Sequence, residues 1–484
     1  MDSLQLAARL RTFLPSEAVL HETEDLRPYE CDGLSAYRQA PMIVVLPQTE
    51  GEVIEVLKVC HAAKTPVVAR GAGTGLSGGA LPHAEGVLLS LAKLKRILEV
   101  NPVARVARVQ PGVRNLAISE AAAPYGLYYA PDPSSQIACS IGGNVAENSG
   151  GVHCLKYGLT VHNILKLRVV TIAGEILEIG GESLDSPGYN LLALMTGSEG
   201  MLGVVTEVTV KLLPRPEKAQ VVMVAFDDIR QAADAVANVI GAGIIPAGME
   251  MMDKITTRAV EEYVHAGYNL DAAAILLCES DGTVEEVVEE IRRIDEIMNE
   301  SGATEIRTSR DEAERLKFWA GRKAAFPAAG RVSPDYYCMD GTIPRNKLAQ
   351  VLSGIEALSA EYGLRCMNVF HAGDGNLHPL ILYDANKSGE LEMTEEFGAK
   401  ILQMCIQAGG TITGEHGVGI EKINQMCSQF KTGELEMFHA VKAAFDPEGL
   451  LNPGKAVPTL RRCAEHGAMH VHRGEEKFPE LPRF

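Results

Sequence analysis

The sequence predicts an α+β protein with two domains and a short C-terminal tail, and three observations support this prediction. The chain has 484 residues, more than a single hydrophobic core usually supports. Up to about residue 213, β-branched runs alternate with glycine-rich turns and short helical patterns. A Pro-Arg-Pro segment at 214–216 then interrupts helix and strand patterns alike. We therefore expect a first domain at residues 1–217, a second at 218–457 and a polar tail at 458–484.

Both domains are predicted to combine helices with short strands. In the first domain, apolar residues recur at helical spacing in residues 5–13 and 53–63. Runs of branched aliphatic residues predict its strands, which are at 66–69, 87–91, 106–109, 165–172 and 203–212. The second domain has predicted strands at 221–226, 273–279, near 336–343 and within 366–382, with helices at 229–240 and 283–299. This order predicts a sheet covered by helices.

Composition and charge exclude several classes of protein. The hydrophobic fraction of 46% and the charged fraction of 22% are typical of a globular chain and not of a disordered or fibrous one. The net charge of -18, without a cluster of lysine and arginine, argues against nucleic acid as a partner. An anionic ligand would need a local arginine, a metal ion or helix N-termini to offset this charge.

Cysteine usage and the N-terminus predict a cytoplasmic protein. The ten cysteines form no Cys-x-x-Cys pair, so we expect reduced thiols. The first residues lack a basic signal region, and the apolar runs are too short to span a bilayer. We therefore expect neither export nor an integral membrane span.

Three glycine-rich segments in the first domain predict a cofactor site. The first, at 70–79, contains five glycines and follows a predicted strand. Because more glycine and then a proline follow instead of a helix, a Rossmann turn is disfavoured, and a loop of exposed N–H groups suited to a pyrophosphate remains. The other two segments are at 131–151 and 196–203. A single such cluster is typical of a tight turn, but three in one domain favour ligand binding.

In order and spacing these segments resemble the FAD-binding domain of the vanillyl-alcohol oxidase and p-cresol methylhydroxylase superfamily. The resemblance implies a two-part FAD-binding domain of the p-cresol methylhydroxylase type, followed by an α+β substrate or cap domain with a helical C-terminal segment. It also implies that the first loop holds the pyrophosphate, while the second and third segments line the ribityl chain and the flavin. Members that bind flavin covalently here place a histidine in the first loop, whereas this chain has Thr74, so we expect non-covalent FAD. The residues implied to bind FAD in these segments are Arg70, Gly71, Ala72, Gly73, Thr74, Gly75, Leu76, Ser77, Gly78, Pro131, Asp132, Pro133, Ser134, Gly142, Gly143, Asn144, Glu199, Gly200, Gly203 and Val204.

Residues 370–379 predict a hairpin that brings His371 and His378 together, because a Gly-Asp-Gly-Asn centre lies between two apolar runs. A second segment, at 411–419, adds Glu415 next to His416 between glycines. Two imidazoles and a carboxylate with open positions are typical of a catalytic metal site. The alternative for any single histidine is a partly buried side chain with satisfied hydrogen bonds.

This pattern resembles the C-terminal domain of FAD-linked D-2-hydroxy acid dehydrogenases. The resemblance implies that His371, His378 and Glu415 bind a divalent metal ion, zinc or manganese, and that His416 is the catalytic base. Residues 318–323 match the same family.

Two further residues take their roles from this resemblance. It implies that Arg322 holds the substrate carboxylate in a bidentate contact, although the residues alone equally suggest a solvated helix charge. Residues 445–455 resemble the closing segment of the family, in which the equivalent of Asn452 returns to the flavin.

Over the whole chain, the resemblance implies FAD-dependent oxidation of glycolate to glyoxylate, and also of D-lactate to pyruvate. Ionising the hydroxyl would turn the adjacent C–H bond into a hydride donor. Cys338 stands where relatives that accept 2-hydroxyglutarate carry a lysine, which favours a small 2-hydroxy monocarboxylate. The resemblance further implies a complex with a second flavoprotein subunit and an iron–sulfur subunit, placed on the cytoplasmic face of the inner membrane. The chain has no cluster-binding cysteine run of its own.

Three alternatives remain open from the sequence. The first is a stand-alone D-lactate dehydrogenase, because glycolate and D-lactate differ by one methyl group, worth about 1–3 kcal/mol in a pocket. The second is a non-catalytic subunit that binds flavin and metal and only relays electrons. The third is a zinc hydrolase, which leaves the glycine-rich segments without a purpose. The tail histidines His466, His470 and His472 favour a flexible or docking tail over a second metal cluster.

Overall fold

The structure of the protein is a computed structural model that describes residues 2–183 and 188–459 together with Cys463. Most of the predicted polar tail, including His466, His470 and His472, lies outside the described residues. The fold class predicted from the sequence, α+β, agrees with the mixture of helices and strands described below.

The strands range from two to nine residues. In chain order they are β1 Val19–Leu20, β2 Ile43–Val45, β3 Val67–Arg70, β4 Val87–Ser90, β5 Ile97–Asn101, β6 Val106–Val109, β7 Leu127–Tyr128, β8 Ile164–Val170, β9 Ile176–Gly180, β10 Val204–Lys211, β11 Leu213–Pro214, β12 Lys218–Phe226, β13 Gly248–Asp253, β14 Ala274–Gly282, β15 Glu305–Thr308, β16 Asp335–Cys338, β17 Cys366–Phe370 and β18 Pro379–Tyr383.

Helices occur along the whole described chain, and most of the longer ones lie after β12. In chain order they are α1 Ser3–Leu10, α2 Thr23–Leu26, α3 Glu50–Ala63, α4 Asn115–Ala122, α5 Ile141–Glu147, α6 Cys154–Tyr157, α7 Thr160–Asn163, α8 Leu191–Met195, α9 Ile229–Gly241, α10 Lys254–Val264, α11 Val284–Glu300, α12 Glu312–Lys323, α13 Ala325–Val332, α14 Leu348–Tyr362, α15 Glu390–Gln407, α16 Ile423–Gln429 and α17 Thr432–Phe445. Among these helices, none has the length and hydropathy needed to cross a membrane.

The part of the chain before β12 forms two main sheets. The first has the order β1-β2-β4-β3, with β2, β4 and β3 parallel, and helices α1 and α3 share its apolar core. The second is antiparallel in the order β5-β6-β10-β8-β9. Helix α3 begins at Glu50, three residues before its predicted start, because Thr49 and Glu52 form a capping box there.

From β12 onward a single antiparallel sheet has the order β15-β12-β14-β13-β17-β18-β16. Its side chains alternate between two apolar cores, as strand geometry requires. Val222 and Val224 belong to the larger core, together with residues of α9, α11, α14 and α15. Val221 and Met223 belong to the opposite core, together with residues of α10, α12 and α13. The predicted sheet covered by helices is therefore present, and both of its faces are covered.

His153 links the second glycine-rich segment to this sheet. Its Nδ1 lies 2.7 Å from Asp132 Oδ2, and its Nε2 lies 3.2 Å from Glu279 Oε1 on β14. Glu279 also accepts hydrogen bonds from Arg315 at 2.8 Å and from the indole of Trp319 at 2.5 Å. Burial alone raises the pKa of Glu279, but His153, Arg315 and Trp319 outweigh burial and lower that pKa to about 2.

The Glu279 contacts predict a specific loss of stability in acid. Because the folded-state pKa of about 2 lies below the ordinary value of 4.5, the stabilisation is complete above pH 4.5 and is lost as the pH falls towards 2. This contribution of Glu279 to the free energy of unfolding is on the order of 3 kcal/mol. The free energy of unfolding, measured with urea at a series of acidic pH values, should lack this pH-dependent contribution in Glu279→Gln. Glu285→Gln, which changes an exposed carboxylate of α11, should retain it. An acid dependence in Glu279→Gln equal to that of wild type contradicts this account.

The prediction that the cysteines are reduced thiols is wrong for one pair. Cys427 on α16 and Cys463 form a disulfide with their Cα atoms 5.2 Å apart. The two residues are 36 positions apart in the sequence, so no short spacing motif marks them. Their approach depends on the return of the C-terminal segment to α16, which local patterns do not predict.

Candidate active site

A cavity of about 430 Å³ lies between the glycine-rich segments and the histidine-rich loops of the second half of the chain. This volume is typical of ligand and cofactor sites. The predicted FAD-binding residues that line the cavity are Arg70, Gly71, Ala72, Gly73, Thr74, Gly75, Leu76, Pro133, Ser134, Gly142, Gly143, Asn144, Glu199, Gly200, Gly203 and Val204. His378, Glu415 and His416 line the same cavity. The predicted site residues outside its lining are Ser77, Gly78, Pro131, Asp132, Arg322, His371 and Asn452.

The first glycine-rich segment is an extended loop between β3 and β4. Residues 71–86 are all described and contain no helix, as the rejection of a Rossmann turn predicts. Gly73 and Gly78 both have φ of +72°, a conformation that other residues rarely adopt. Ser77 is not part of the cavity lining, and its carbonyl accepts hydrogen bonds from the backbone N–H groups of Ile420 and Glu421 at 3.0 and 3.1 Å. The end of the loop therefore binds the C-terminal half of the chain.

The second segment is partly helical. Gly142, Gly143 and Asn144 lie in the first turns of α5, although a glycine cluster is more typical of a turn. Consecutive glycines lower helix propensity, so the local pattern hides this helix. The side chain of Asp132 contacts His153, so this residue holds the segment in place from outside the cavity.

The third segment is joined to the C-terminal loops by Glu199. This residue has φ of +50°, and its carboxylate accepts hydrogen bonds from the backbone N–H groups of Val418 and Gly419, both at 2.7 Å. Asn452 donates to the carbonyls of Gly79 at 3.0 Å and Glu199 at 2.6 Å. Asn452 therefore connects the first and third segments, and its side chain acts on them and not on the cavity surface.

The predicted hairpin brings the proposed metal ligands together. Strands β17 and β18 flank it, and His371 pairs with Asn376 across the turn. Glu415 Oε1 lies 3.2 Å from His371 Nε2 and 3.2 Å from His378 Nε2. The three ligand atoms all lie within 4.8 Å of one another. His378 Nε2 is buried, and because its contact with Glu415 lacks the geometry of a hydrogen bond, it has no hydrogen-bond partner among the described residues.

His416 stacks on His378, with ring centroids 4.9 Å apart and an angle of 8° between the rings. Its Nδ1 is buried and makes no hydrogen bond within the described ranges. Burial lowers the pKa of His416 to about 4, against the opposing effect of the nearby Asp340 carboxylate. The imidazole is therefore neutral near pH 7 and able to accept a proton.

Asp340 organises the loop that carries Glu415 and His416, and sequence reasoning missed this role. Its carboxylate accepts hydrogen bonds from the backbone N–H groups of His416 at 2.9 Å and Glu415 at 3.2 Å. It also accepts from Asn376 Nδ2 at 2.9 Å and from Thr413 Oγ1 at 2.5 Å. The signal available in the sequence was an acidic residue two positions after the end of strand β16, a pattern that is also common in ordinary turns.

Arg322 is buried, so the alternative of a solvated helix charge is wrong. Its side chain is 2% exposed, and its Nε donates to Glu250 Oε2 at 2.5 Å. Its Nη2 is buried without a hydrogen-bond partner in the part of the chain that the structure describes. Glu250 Oε1 lies 2.5 Å from His371 Nδ1. Sequence reasoning also missed Glu250, which lies within an apolar strand and belongs to no recognisable motif.

Glu147 is a further residue of the cavity that the sequence analysis did not single out. It lines the cavity at the end of α5, and its Oε2 lacks a hydrogen-bond partner among the residues described. Burial raises the pKa of Glu147 well above its ordinary value, and the Glu199 carboxylate raises it further. Burial and the neighbouring Glu199 carboxylate therefore both disfavour the charged form of Glu147.

Comparison with known proteins identifies the family. The model for an FAD binding domain matches residues 41–180, and the model for the C-terminal domain of FAD linked oxidases matches residues 215–456. The glycolate oxidase subunit GlcD of Escherichia coli (strain K12) is 63% identical over 484 residues, which cover 100% of this chain and 97% of that protein. The chain belongs to the FAD-linked oxidases. The predicted class of protein, an FAD-binding oxidoreductase, is thereby confirmed.

Other relatives of this FAD-linked oxidase differ in their named activities. GlcD of Bacillus subtilis (strain 168) is 39% identical over 88% of this chain and 91% of that protein. A D-lactate dehydrogenase of Anaerostipes hadrus is 33% identical over 88% of this chain and 91% of that protein. A solved structure of p-cresol methylhydroxylase superposes with a TM-score of 0.78 at 18% identity, covering 95% of this chain and 97% of that one. The predicted p-cresol methylhydroxylase type of fold is thus confirmed.

Proposed function

We propose that this FAD-linked oxidase oxidises glycolate to glyoxylate. The observation that carries the proposal is that residues of the glycine-rich segments line the same cavity as His378, Glu415 and His416. The full-length similarity to E. coli GlcD supports glycolate as the substrate.

The first-domain side of the cavity suits non-covalent FAD. Its lining is mostly glycine, alanine, serine and threonine, which allow close approach of a ligand to the backbone N–H groups. Thr74 lines the cavity in the first loop, where covalent members of the superfamily carry a histidine, and this supports a dissociable cofactor. FAD, when bound, accepts the hydride that the substrate loses.

The residues on the other side of the cavity fit a divalent metal ion such as zinc or manganese. With bonds of about 2.0–2.1 Å, two ligands of a tetrahedral zinc ion are roughly 3.3 Å apart, close to the two separations of 3.2 Å that involve Glu415 Oε1. The carboxylate of Glu250 on His371 Nδ1 resembles the outer-shell partners that orient metal-binding histidines. A divalent ion, when bound, lowers the pKa of a coordinated hydroxyl group.

Arg322 and His416 are proposed to bind the substrate carboxylate and to accept the hydroxyl proton. The unpartnered Nη2 of Arg322 is a cationic donor for the substrate carboxylate. His416 accepts the hydroxyl proton, for which its unpartnered Nδ1 is available. Loss of this proton and of the hydride from carbon converts the alcohol into the carbonyl product.

D-lactate is the second candidate substrate, since one relative is named D-lactate dehydrogenase. The test is product formation by the purified protein with an artificial dye as electron acceptor. We expect glyoxylate from glycolate and pyruvate from D-lactate, with D-2-hydroxyglutarate inactive. A bound flavin that none of these compounds reduces would favour an electron-relay subunit, and protein that binds no flavin would contradict the proposal.

We further propose that the chain is the catalytic subunit of a complex with a second flavoprotein and an iron–sulfur subunit. The name of the E. coli relative, a glycolate oxidase subunit, supports this assembly. In the proposed complex the chain is cytoplasmic and reaches the inner face of the membrane through its partners. A purified single chain should reduce a soluble dye but not a quinone, and full quinone reduction by the chain alone would contradict the proposal.

A further inference from the structure

We propose that Glu250 is a positioning residue that orients both His371 and Arg322. This inference rests on the proposed function, in which these two residues bind the metal ion and the substrate carboxylate. Glu250 lies on β13, the fourth of the seven strands of the large sheet. Its side chain is 1% exposed.

The placement of Glu250 is unusual for a carboxylate. Along β13, Met249 and Met251 belong to one apolar core of the sheet, while Met252 belongs to the other. Because side chains alternate along a strand, Glu250 points to the same face as Met252. A buried carboxylate on such a face is costly unless charged or hydrogen-bonding partners compensate it.

The two oxygens of Glu250 serve two different partners. Oε2 accepts a hydrogen bond from Arg322 Nε at 2.5 Å, and Oε1 lies 2.5 Å from His371 Nδ1. Because the carboxylate of Glu250 can only accept, His371 Nδ1 carries a hydrogen and donates it, and Nε2 on the other side of the ring faces Glu415. With Nε held by Glu250, Arg322 keeps Nη2 without a partner in the described part of the chain. Glu250 thus fixes both His371, the proposed metal ligand in the hairpin between β17 and β18, and Arg322, the proposed substrate contact on α12.

This arrangement gives Glu250→Gln a distinctive effect. An amide has one acceptor oxygen and two donor hydrogens, so glutamine of the same shape cannot accept from both partners. If the amide N–H group faces Arg322, which can only donate, Arg322 has to move. If it faces His371, Nδ1 has to accept, which places the ring hydrogen on Nε2, the proposed metal-binding atom. We therefore expect the substitution to disturb metal binding and carboxylate binding together.

The test measures both forms of binding without turnover. The zinc affinity of chelator-stripped, FAD-loaded protein is obtained by competition with a chromophoric chelator. The affinity for oxalate, an unreactive carboxylate, is obtained from the flavin absorbance change of zinc-saturated protein. For Glu250→Gln we expect zinc affinity to fall about 10- to 100-fold and oxalate affinity to fall about 10-fold.

The matched control is Glu279→Gln. Glu279 is a buried carboxylate on the adjacent strand β14, opposite Gly248, and it bonds His153, Arg315 and Trp319 instead of site residues. The Glu279→Gln variant should bind zinc and oxalate with the affinities of the wild-type protein. If Glu250→Gln also binds both ligands with unchanged affinity, the inference is overturned.

The outcomes separate this inference from the proposed function. Wild-type protein that binds zinc but does not oxidise glycolate refutes the proposed function, and weakened binding in Glu250→Gln then still supports the positioning role. Wild-type protein that binds no zinc overturns the inference, whereas turnover of glycolate decides the proposed function separately. If Glu250→Gln does not fold, Glu250→Asp, which keeps the charge and both acceptor oxygens, carries the same test with an expected loss of about 3- to 10-fold. Unchanged binding in that variant overturns the inference as well.

Discussion

Replacing His416 by alanine is expected to lower the rate of glycolate oxidation by about a hundred- to ten-thousand-fold, the usual contribution of a general base. The imidazole lines the cavity and stacks on His378. Burial holds it in the neutral form near pH 7, and alanine leaves no group to take the hydroxyl proton. The FAD content should not change, because the glycine-rich segments are untouched. The measurement is steady-state dye reduction together with the flavin-to-protein ratio.

His439 provides the control for this prediction. It lies on α17, and its Nε2 lies 2.9 Å from the carbonyl oxygen of Pro458. His439→Ala should retain wild-type turnover. Substantial turnover in His416→Ala, with FAD bound, would contradict the assignment of His416 as the base.

Replacing Glu415 by glutamine is expected to remove the divalent ion and to lower turnover at least about a hundredfold. Glu415 supplies the carboxylate of the cluster and approaches both histidines at 3.2 Å. Without its charge, the site keeps two neutral imidazoles and binds a divalent cation weakly. Losing several kcal/mol of transition-state stabilisation by the ion corresponds to a rate loss of about a hundredfold or more. Metal analysis and dye reduction measure the two effects.

Two controls accompany this second prediction. Wild-type protein stripped with a chelator should lose activity and regain it with zinc or manganese, whereas Glu415→Gln should not respond to added metal. Glu434→Gln, which changes an exposed carboxylate at the start of α17, should behave as wild type. Full activity in metal-free wild-type protein would exclude a metal ion from the mechanism.

The features that sequence reasoning predicted depend on local patterns. The hairpin that joins His371 and His378 follows from a turn sequence between two apolar runs, and the structure places these histidines beside Glu415. The first glycine-rich segment was correctly separated from a Rossmann turn, because the residues after it could not begin a helix. In both cases a few neighbouring residues determine the backbone path.

The features that it missed depend on contacts across the fold. Glu250 meets His371 over 121 positions and Arg322 over 72, so no spacing along the chain reveals the connection. The same is true of Asp340, whose role arises from backbone N–H groups about 75 positions away. The disulfide between Cys427 and Cys463 was missed for this reason too. Acidic residues inside apolar strands are the signal worth pursuing, since burial of a charge requires a partner.

The most direct test of the proposed function is anaerobic reduction of the bound flavin by glycolate, before and after removal of the metal ion. We expect glycolate to bleach the absorbance of oxidised flavin rapidly in metal-replete protein, with D-lactate also reactive, and slowly or not at all after chelation. Restoration by added zinc or manganese would show that the loss is due to the ion. A flavin that glycolate does not reduce, or reduces equally fast without metal, would contradict the proposed reaction or the proposed role of the metal site, respectively.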